Sequence, residues 1–510
     1  MNISRGIERP KFASRPPPES LPGRHFSVSE EDGEIRTTME RPKAEAAAAM
    51  AMQPYELSYS DLLLLSSPRR HPSPPSEAEL RRLDSIRGSV MEALGPAGPG
   101  LLCVRDVPEA PALRRELLPL APRLALLDPE RRRRILQAHQ LGTDVPMKDP
   151  HRSVSSFAMQ LRYAQGAELA QSKASSNINS LDSELDNLNL DVTMEFQDKE
   201  FDHLGFVFKK LGSLMMELGL GLARICDGAI GGHELEQSLV ESCSAKGRLI
   251  HYHSRAENLV LEQDGRRLGS KRGIAKQKKA DEHAFCNGRE RQPIPQKKTI
   301  GGEAKSRGSN SNLWQQWHYD YGIFTVLTAP MFLSPAFPPE PDRDCETSAA
   351  SVEECPYPDG LTYLQILNPI RNGVFMVKTS PESFIIQVGE AADVLSRGKL
   401  RSTLHCVPRP PKVDNVSRET FVVFLQPAWS KTFSLSDYPM DQLPSYPEVA
   451  TDNTCLAEQN RTKLIDEIQK TVPLLFSRLK GGMTFAEFSR ETTKQYYGGS
   501  GLQSNSLSDL

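Results

Sequence analysis

Trp317-His318-Tyr319-Asp320 places an imidazole and a carboxylate two residues apart. In an extended segment residues i and i+2 point to the same side, so His318 and Asp320 aim at one point. A second imidazole, His405, stands far along the chain in Leu404-His405-Cys406-Val407, followed by Pro408. Two histidines and one carboxylate on one face of a metal leave coordination positions open. That donor set suits ferrous iron that must also take O2 and a further ligand. A structural zinc site closes with four protein ligands and leaves no such vacancy. By itself a His-x-Asp pair is common, and its ordinary role is a buried, hydrogen-bonded pair.

Beyond His405, Arg418-Glu419-Thr420 leads into the apolar run Phe421-Val422-Val423-Phe424. By the same alternation Arg418 and Thr420 share a face. A guanidinium grips a carboxylate through two parallel hydrogen bonds, and a neighbouring hydroxyl adds another, so the pair is expected to hold an organic acid. Other polar residues carry weaker signals. His251 and His253 alternate on an expected strand with no acid nearby in sequence, and read as core histidines rather than metal ligands. His283-x-x-Cys286, Cys345 and Cys355 would form a zinc site only if two long loops met. Trp314 and Trp317 flank the metal motif and are expected to serve in core packing or a lid rather than in substrate stacking.

These residues need strands behind them. Short β-branched or aromatic runs at 248–254, 319–328, 361–367, 373–378, 384–388 and 420–425 are each bounded by Gly, Pro, Asn or Ser and read as strands. Before them the pattern is mostly helical. Ser76 and Glu79 form a capping pair ahead of Leu80, Leu83, Ile86, Val90 and Leu94 at helical spacing. The segment 100–104 reads as a short buried strand, and Arg131–Arg134 as a solvated helix face. From about Asp202 a long helix carries Leu204, Phe208, Leu211, Met215, Leu218, Leu222 and Ile225 on one stripe, with Met215-Met216 as core filling and Gly231-Gly232 as its stop. Helical patterns return over 457–480 and after Thr484, which pairs with Glu487 as a second capping box. Helices followed by many short strands suggest helices packed on an antiparallel sandwich or barrel.

Composition narrows the class. In 510 residues, hydrophobic residues make up 38%, and there are 39 prolines, which implies an unstructured fraction. The net charge of -3 gives no global field for nucleic acid. The eight cysteines are scattered without zinc-ribbon spacing and fit a reducing compartment. No apolar run is long enough for a membrane span. The acidic N-terminus, with Glu30, Glu31, Asp32 and Glu34, is not a secretory signal. Met50 or Met52 is a candidate natural start, with the preceding residues an extension of the gene prediction.

The order His-x-Asp, His, Arg-x-Thr resembles that of the plant-type 2-oxoglutarate and Fe(II)-dependent dioxygenases, relatives of isopenicillin N synthase. Arg248-Leu249-Ile250-His251-Tyr252 is similar to the family strand that places a tyrosine on the cosubstrate. Leu364-Gln365-Ile366-Leu367 resembles the family's Leu-Gln-Val strand. Val388-Gly389-Glu390 and Leu395-Ser396-Arg397-Gly398 resemble its Gly-Asp and Ser-Asn-Gly segments, and 100–104 the strand after its first helix. The likeness spans roughly 75–430. Ile250 stands where the family has Asn and Thr420 where it has Ser, and the insertion 334–358 accounts for the wide interval between His318 and His405.

The resemblance implies an α+β fold, a double-stranded β-helix (jelly-roll) core flanked by N- and C-terminal helices. On that reading 1–52 is a disordered N-terminal extension and 53–235 a helical N-terminal region. The jelly roll is 236–430, interrupted by loop insertions at 255–312 and 334–358, and 431–510 is a C-terminal helical region. It further implies Fe(II) on His318, Asp320 and His405 as the catalytic centre. The cosubstrate 2-oxoglutarate would be held by Arg418, Thr420 and Tyr252, with O2 as oxidant. The implied reaction is hydroxylation or desaturation of a small organic substrate, releasing succinate and CO2. Two other readings stay open: an Fe(II) oxidase that uses no 2-oxoglutarate, and a non-catalytic interaction scaffold on the same fold. The expected partner is a small molecule, with neither membrane nor nucleic acid. The expected location is cytoplasmic, with a nuclear alternative through the basic loop 266–279.

Overall fold

A computed structural model describes residues 50–67, 76–143, 145, 147, 152–163, 198–263, 312–334, 354–368, 373–411, 413–436, 438–439, 465–468 and 470–497. The residues before 50, most of both expected insertions, His283, Cys286, Cys345 and the segment 457–464 lie outside the described residues.

Short apolar and β-branched runs form the strands, several of them buried on both faces. In chain order they are β1 (Met50–Met52), β2 (Glu56–Ser58), β3 (Leu101–Arg105), β4 (Gly142–Thr143), β5 (Val154–Arg162), β6 (Ser244–Tyr252), β7 (Leu313–His318) and β8 (Phe324–Thr328). They continue with β9 (Met331–Leu333), β10 (Glu354–Cys355), β11 (Gln365–Asn368), β12 (Gly373–Val377), β13 (Phe384–Val388), β14 (His405–Pro408) and β15 (Ser417–Leu425). One sheet has the order β2-β3-β13-β8-β15-β6-β5-β4, with β9 and β10 attached beside β15. The other has the order β1-β12-β11-β14-β7. Leu101, Cys103, Ile250, Tyr252, Leu327, Ile385 and Val422 of the large sheet share one buried cluster with Trp314, Ile366, Phe375, Val377 and Val407 of the small one. The two sheets therefore face each other across an apolar interior.

The opposite face of the large sheet is covered by helices. The helix Leu204–Ile230 buries the whole expected stripe, from Leu204 to Ile225, and Gly231 ends it in the left-handed conformation. Gly219 is required where this helix meets the sheet, because a Cβ there would lie 1.9 Å from a methyl carbon of Leu425 on β15. Both capping pairs form. Glu79 N–H donates to Ser76 Oγ, and Thr484 and Glu487 bond reciprocally through each other's backbone N–H. No helix among the described residues is long and apolar enough to cross a membrane.

Several elements differ from expectation. Met50–Met52, assigned to the disordered extension, form β1 in parallel register with β12; backbone pairing at a sheet edge asks little of the side chains. Residues 255–263, assigned to an insertion loop, are helical. The 53–235 region, expected to be mainly helical, also contributes β5, whose Ser155, Phe157, Met159 and Leu161 are buried on one face. Arg132, expected on a solvated face, is buried and donates to the carbonyls of Ala125 and Leu127.

The C-terminal segment docks beside the metal motif. Arg478 makes a two-pronged bond to Glu390, at 2.8 and 2.5 Å, and donates to Thr492 Oγ1 and Pro473 O. Both charges are almost fully buried. Glu390 in turn donates its backbone N–H to Asp320 O at 2.8 Å, and Tyr319 N–H donates to Tyr496 Oη at 3.1 Å. Removing one member of a buried ion pair strands the other. Arg478→Leu is therefore expected to lower unfolding free energy by about 3–5 kcal/mol, read from the urea midpoint.

Candidate metal centre

The pairing of β7 with β14 sets His405 directly across from His318. Residues opposite each other on antiparallel strands have neighbouring side chains, and here the imidazole centroids are 4.2 Å apart. A bulge follows on the same pair, so that Val407 faces Gln315. His318 closes β7, and Asp320 lies just past the strand end, its backbone held by Glu390 N–H. Gly389 permits this approach: a Cβ there would fall 2.3 Å from Gly322 O and 3.0 Å from Asp320 O.

The three side chains converge. Asp320 Oδ1 lies 3.8 Å from His318 Nε2, and Oδ2 lies 3.8 Å from His405 Nε2. Each imidazole commits its other nitrogen: His318 Nδ1–H donates to Gln316 O at 2.7 Å and His405 Nδ1–H to Thr403 O at 3.0 Å. This leaves both Nε2 atoms as acceptors on the side of Asp320, that of His318 also taking a hydrogen bond from Gln315; a second nitrogen bonded to a carbonyl is the arrangement that orients metal-binding histidines. Burial and the neighbouring His405 hold His318 down at about 4, so it is neutral near pH 7. Asp320 Oδ2 is buried without a hydrogen-bond partner. Such an orphaned carboxylate oxygen is costly, and a cation would satisfy it. One ion about 2.1 Å from each donor reaches both atoms of a pair 3.8 Å apart. The residues fit a metal, and the side chains keep 15%, 11% and 7% exposure, so the cluster opens to one side.

Arg418, Thr420 and Tyr252 come together on the inner face of the large sheet. Arg418 is the register partner of Tyr252, and its guanidinium lies 5.2 Å from the centre of that ring. Thr420 Oγ1 donates to Thr328 O at 3.3 Å. Arg418 is 3% exposed, donates Nε–H to Thr362 O, and makes no salt bridge among the described residues. Burial pulls its pKa down. A buried guanidinium with no salt bridge among the described residues is able to take an anion.

Gln315 was not singled out from sequence and links the two groups. Tyr252 Oη–H donates to Gln315 Oε1 at 2.9 Å, and Gln315 Nε2–H donates to His318 Nε2 at 2.9 Å. Trp314 is core: it is buried, packs against Tyr252 and donates Nε1–H to His253 O. Trp317 is only partly buried and packs on a cluster with Leu367 and Leu404.

No family model matches the chain, and no curated protein matches it. Solved structures similar to it include a full-length Neurospora crassa protein in complex with alpha-KG and thymine, at 11% identity and TM-score 0.42 over 82% of this chain and 98% of that one. The dioxygenase for auxin oxidation in rice is similar at 15% identity and TM-score 0.40, over 81% and 95% of the two chains. JOX2 in complex with 2OG, Fe and JA is similar at 12% identity and TM-score 0.38, over 76% and 79%.

A second group with metal-ligating atoms, His251, His253 and Glu257, lies on the other face of β6. Sequence offered it no acid; the structure supplies two. His251 Nδ1–H donates to Glu419 at 2.9 Å, and its Nε2 lies 3.1 Å from His253 Nδ1. His253 Nε2 is 2.8 Å from Ser155 Oγ. Glu257 is engaged in a reciprocal cap with Ser254 at the start of the 255–263 helix. Both histidines are fully buried and hydrogen-bonded, so this group forms a buried polar network. Burial alone would lower the His251 pKa, but the carboxylates of Glu419 and Glu257 outweigh it and push it up to about 10; burial and the His251 charge push His253 down. A raised folded-state pKa stabilises fully below the ordinary value of 6.5 and ceases to do so as pH passes about 10. Denaturant midpoints are expected to fall between those pH values, and the Glu419→Gln variant to show a shallower fall.

Proposed function

We propose that this chain is an Fe(II)- and 2-oxoglutarate-dependent oxygenase acting on a small organic substrate. The observation that carries the reading is the Asp320 carboxylate, its Oδ2 buried and unbonded, set 3.8 Å from the Nε2 of each imidazole. His318, Asp320 and His405 would hold the metal. Bound Fe(II) supplies O2 activation coupled to the decarboxylation of 2-oxoglutarate to succinate and CO2. The chain's own residues bind and orient. Arg418 and Thr420 would take the distal carboxylate of 2-oxoglutarate, and Tyr252 would pack against it. The facing sheets exclude water, as a jelly-roll enclosure does. Arg418's burial without a salt bridge among the described residues favours use of a dicarboxylic cosubstrate over an oxidase that needs none.

Purified protein with Fe(II) is expected to convert 2-oxoglutarate to succinate slowly without substrate and faster with it. An Fe(II)-loaded protein that oxidises substrate without consuming 2-oxoglutarate would establish the oxidase reading instead.

A further inference from the structure

Behind Tyr252, on the opposite face of β6, three ligating atoms converge. His251 Nε2 lies 3.1 Å from His253 Nδ1 and 3.5 Å from Glu257 Oε2, and the latter two are 4.0 Å apart. One ion about 2.1 Å from each donor reaches all three atoms at these separations. The local sequence accounts for the meeting. His253 N–H still pairs with Ser153 O at 2.9 Å, so strand alternation runs on past Tyr252 and sets His251 and His253 on one side. The helix 255–263 starts at once and brings Glu257 back over them on its first turn.

Each donor is held from behind. His251 Nδ1–H faces both oxygens of Glu419, at 3.0 and 2.9 Å, and Glu419 itself accepts from Ser417 Oγ–H at 2.7 Å. His253 Nε2 meets Ser155 Oγ at 2.8 Å, and Glu257 Oε2 accepts Ser254 N–H at 2.7 Å. A carboxylate behind the outer imidazole nitrogen and a hydrogen bond on the ligating carboxylate are how proteins orient metal ligands. The inner atoms are left to one another. In metal-free protein a proton between the two imidazoles bridges one pair of them, whereas a divalent ion satisfies all three donors together.

Charge on the cluster comes from four residues. Glu257 and Glu419 are buried against the histidines, and Arg152 and Arg409 act on His253 from its far side. Arg409 directs its Nη atoms to His253 O and Asn258 Oδ1, and Arg152 donates to Ser155 Oγ and Met147 O. Both histidines are 0% exposed, so no substrate reaches their nitrogens. An ion here acts in the fold rather than in catalysis. Imidazole nitrogen and carboxylate oxygen are zinc donors, and three protein ligands leave the fourth tetrahedral position to a water.

We propose that His251, His253 and Glu257 form a second metal site, which takes a structural zinc(II) ion and fastens β6 to the helix that follows it. The site is independent of the oxygenase reading.

The test uses the full chain carrying His405→Ala, which disables the first centre, and zinc(II) alone. After dialysis with a non-chelating reductant, atomic emission is expected to find one zinc per chain, and zinc is expected to raise the melting temperature. Adding Glu257→Gln, whose amide oxygen can still accept from Ser254 N–H, or His253→Gln is expected to weaken zinc binding at least about 100-fold, since losing even a group that supports a ligand typically costs 10–100-fold. Melting curves without zinc report whether each variant is folded. X-ray absorption of the zinc-loaded His405→Ala protein is independent of those variants and is expected to show nitrogen and oxygen neighbours, imidazole among them, and no sulfur. His405→Ala protein that retains no zinc, undiminished affinity in folded Glu257→Gln protein, or sulfur bound to the zinc would each overturn the proposal.

Discussion

His405→Ala protein is expected to bind Fe(II) at least about 100-fold more weakly than the parent and to release no detectable succinate from 2-oxoglutarate. Losing a residue that merely supports a metal ligand typically costs 10–100-fold, and His405 supplies one of the three donors themselves. The variant also separates a metal role from a packing role. The imidazole is buried and its Nδ1–H is satisfied by Thr403 O, so its removal leaves a small cavity beside two remaining polar groups, and a modest change in urea midpoint follows. If the histidine served only as core, affinity for Fe(II) would be unaltered while stability fell. Isothermal titration with Fe(II) under argon, with a denaturation curve on the same material, distinguishes the two.

Arg418→Met should move two measurements in opposite directions. Affinity for 2-oxoglutarate is expected to drop by about 2–5 kcal/mol, the cost of truncating one partner of a buried charge pair, or roughly 30-fold and beyond. Stability of the ligand-free protein is expected to hold or rise. The guanidinium is buried with no salt bridge among the described residues, and replacing an uncompensated buried ion by an apolar side chain of similar length removes its desolvation cost. A structural arginine gives the reverse, a lower melting temperature with 2-oxoglutarate binding intact. Melting curves with and without 2-oxoglutarate report both quantities.

Much of the scaffold was legible from pattern. The strand at 384–388 was expected at the bounds it adopts, because it is a short β-branched and aromatic run with breaking residues on either side, and the Leu204–Ile230 stripe is buried throughout, because its apolar residues recur at steps of three and four. Of the polar candidates, Arg418, Thr420 and Tyr252 were expected to gather, and alternation brings them onto one face. β7 was missed because Trp314-Gln315-Gln316-Trp317 is too polar to read as a strand. β5 shows the period-two burial that a closer reading of its Ser155, Phe157, Met159 and Leu161 would have found.

Networks were not legible. The facing of His318 and His405 depends on the register between two strands far apart in sequence, and no local pattern encodes it. Gln315 joins Tyr252 to His318 only because the β7–β14 bulge re-aims it. Glu419, read merely as the spacer between Arg418 and Thr420, points to the other face and anchors His251. The same alternation that predicted Arg418 and Thr420 also required that outward position, but it named no partner for it.

Anaerobic titration of the Fe(II)-loaded protein with 2-oxoglutarate, followed by visible absorption, tests the central claim most directly. A metal-to-ligand charge-transfer band should grow to saturation at one equivalent, and be absent from His405→Ala. Iron that stays bound while 2-oxoglutarate produces no band, or a band of full strength in the His405→Ala protein, would contradict the assignment of His318, Asp320 and His405 to a ferrous centre that binds a keto acid.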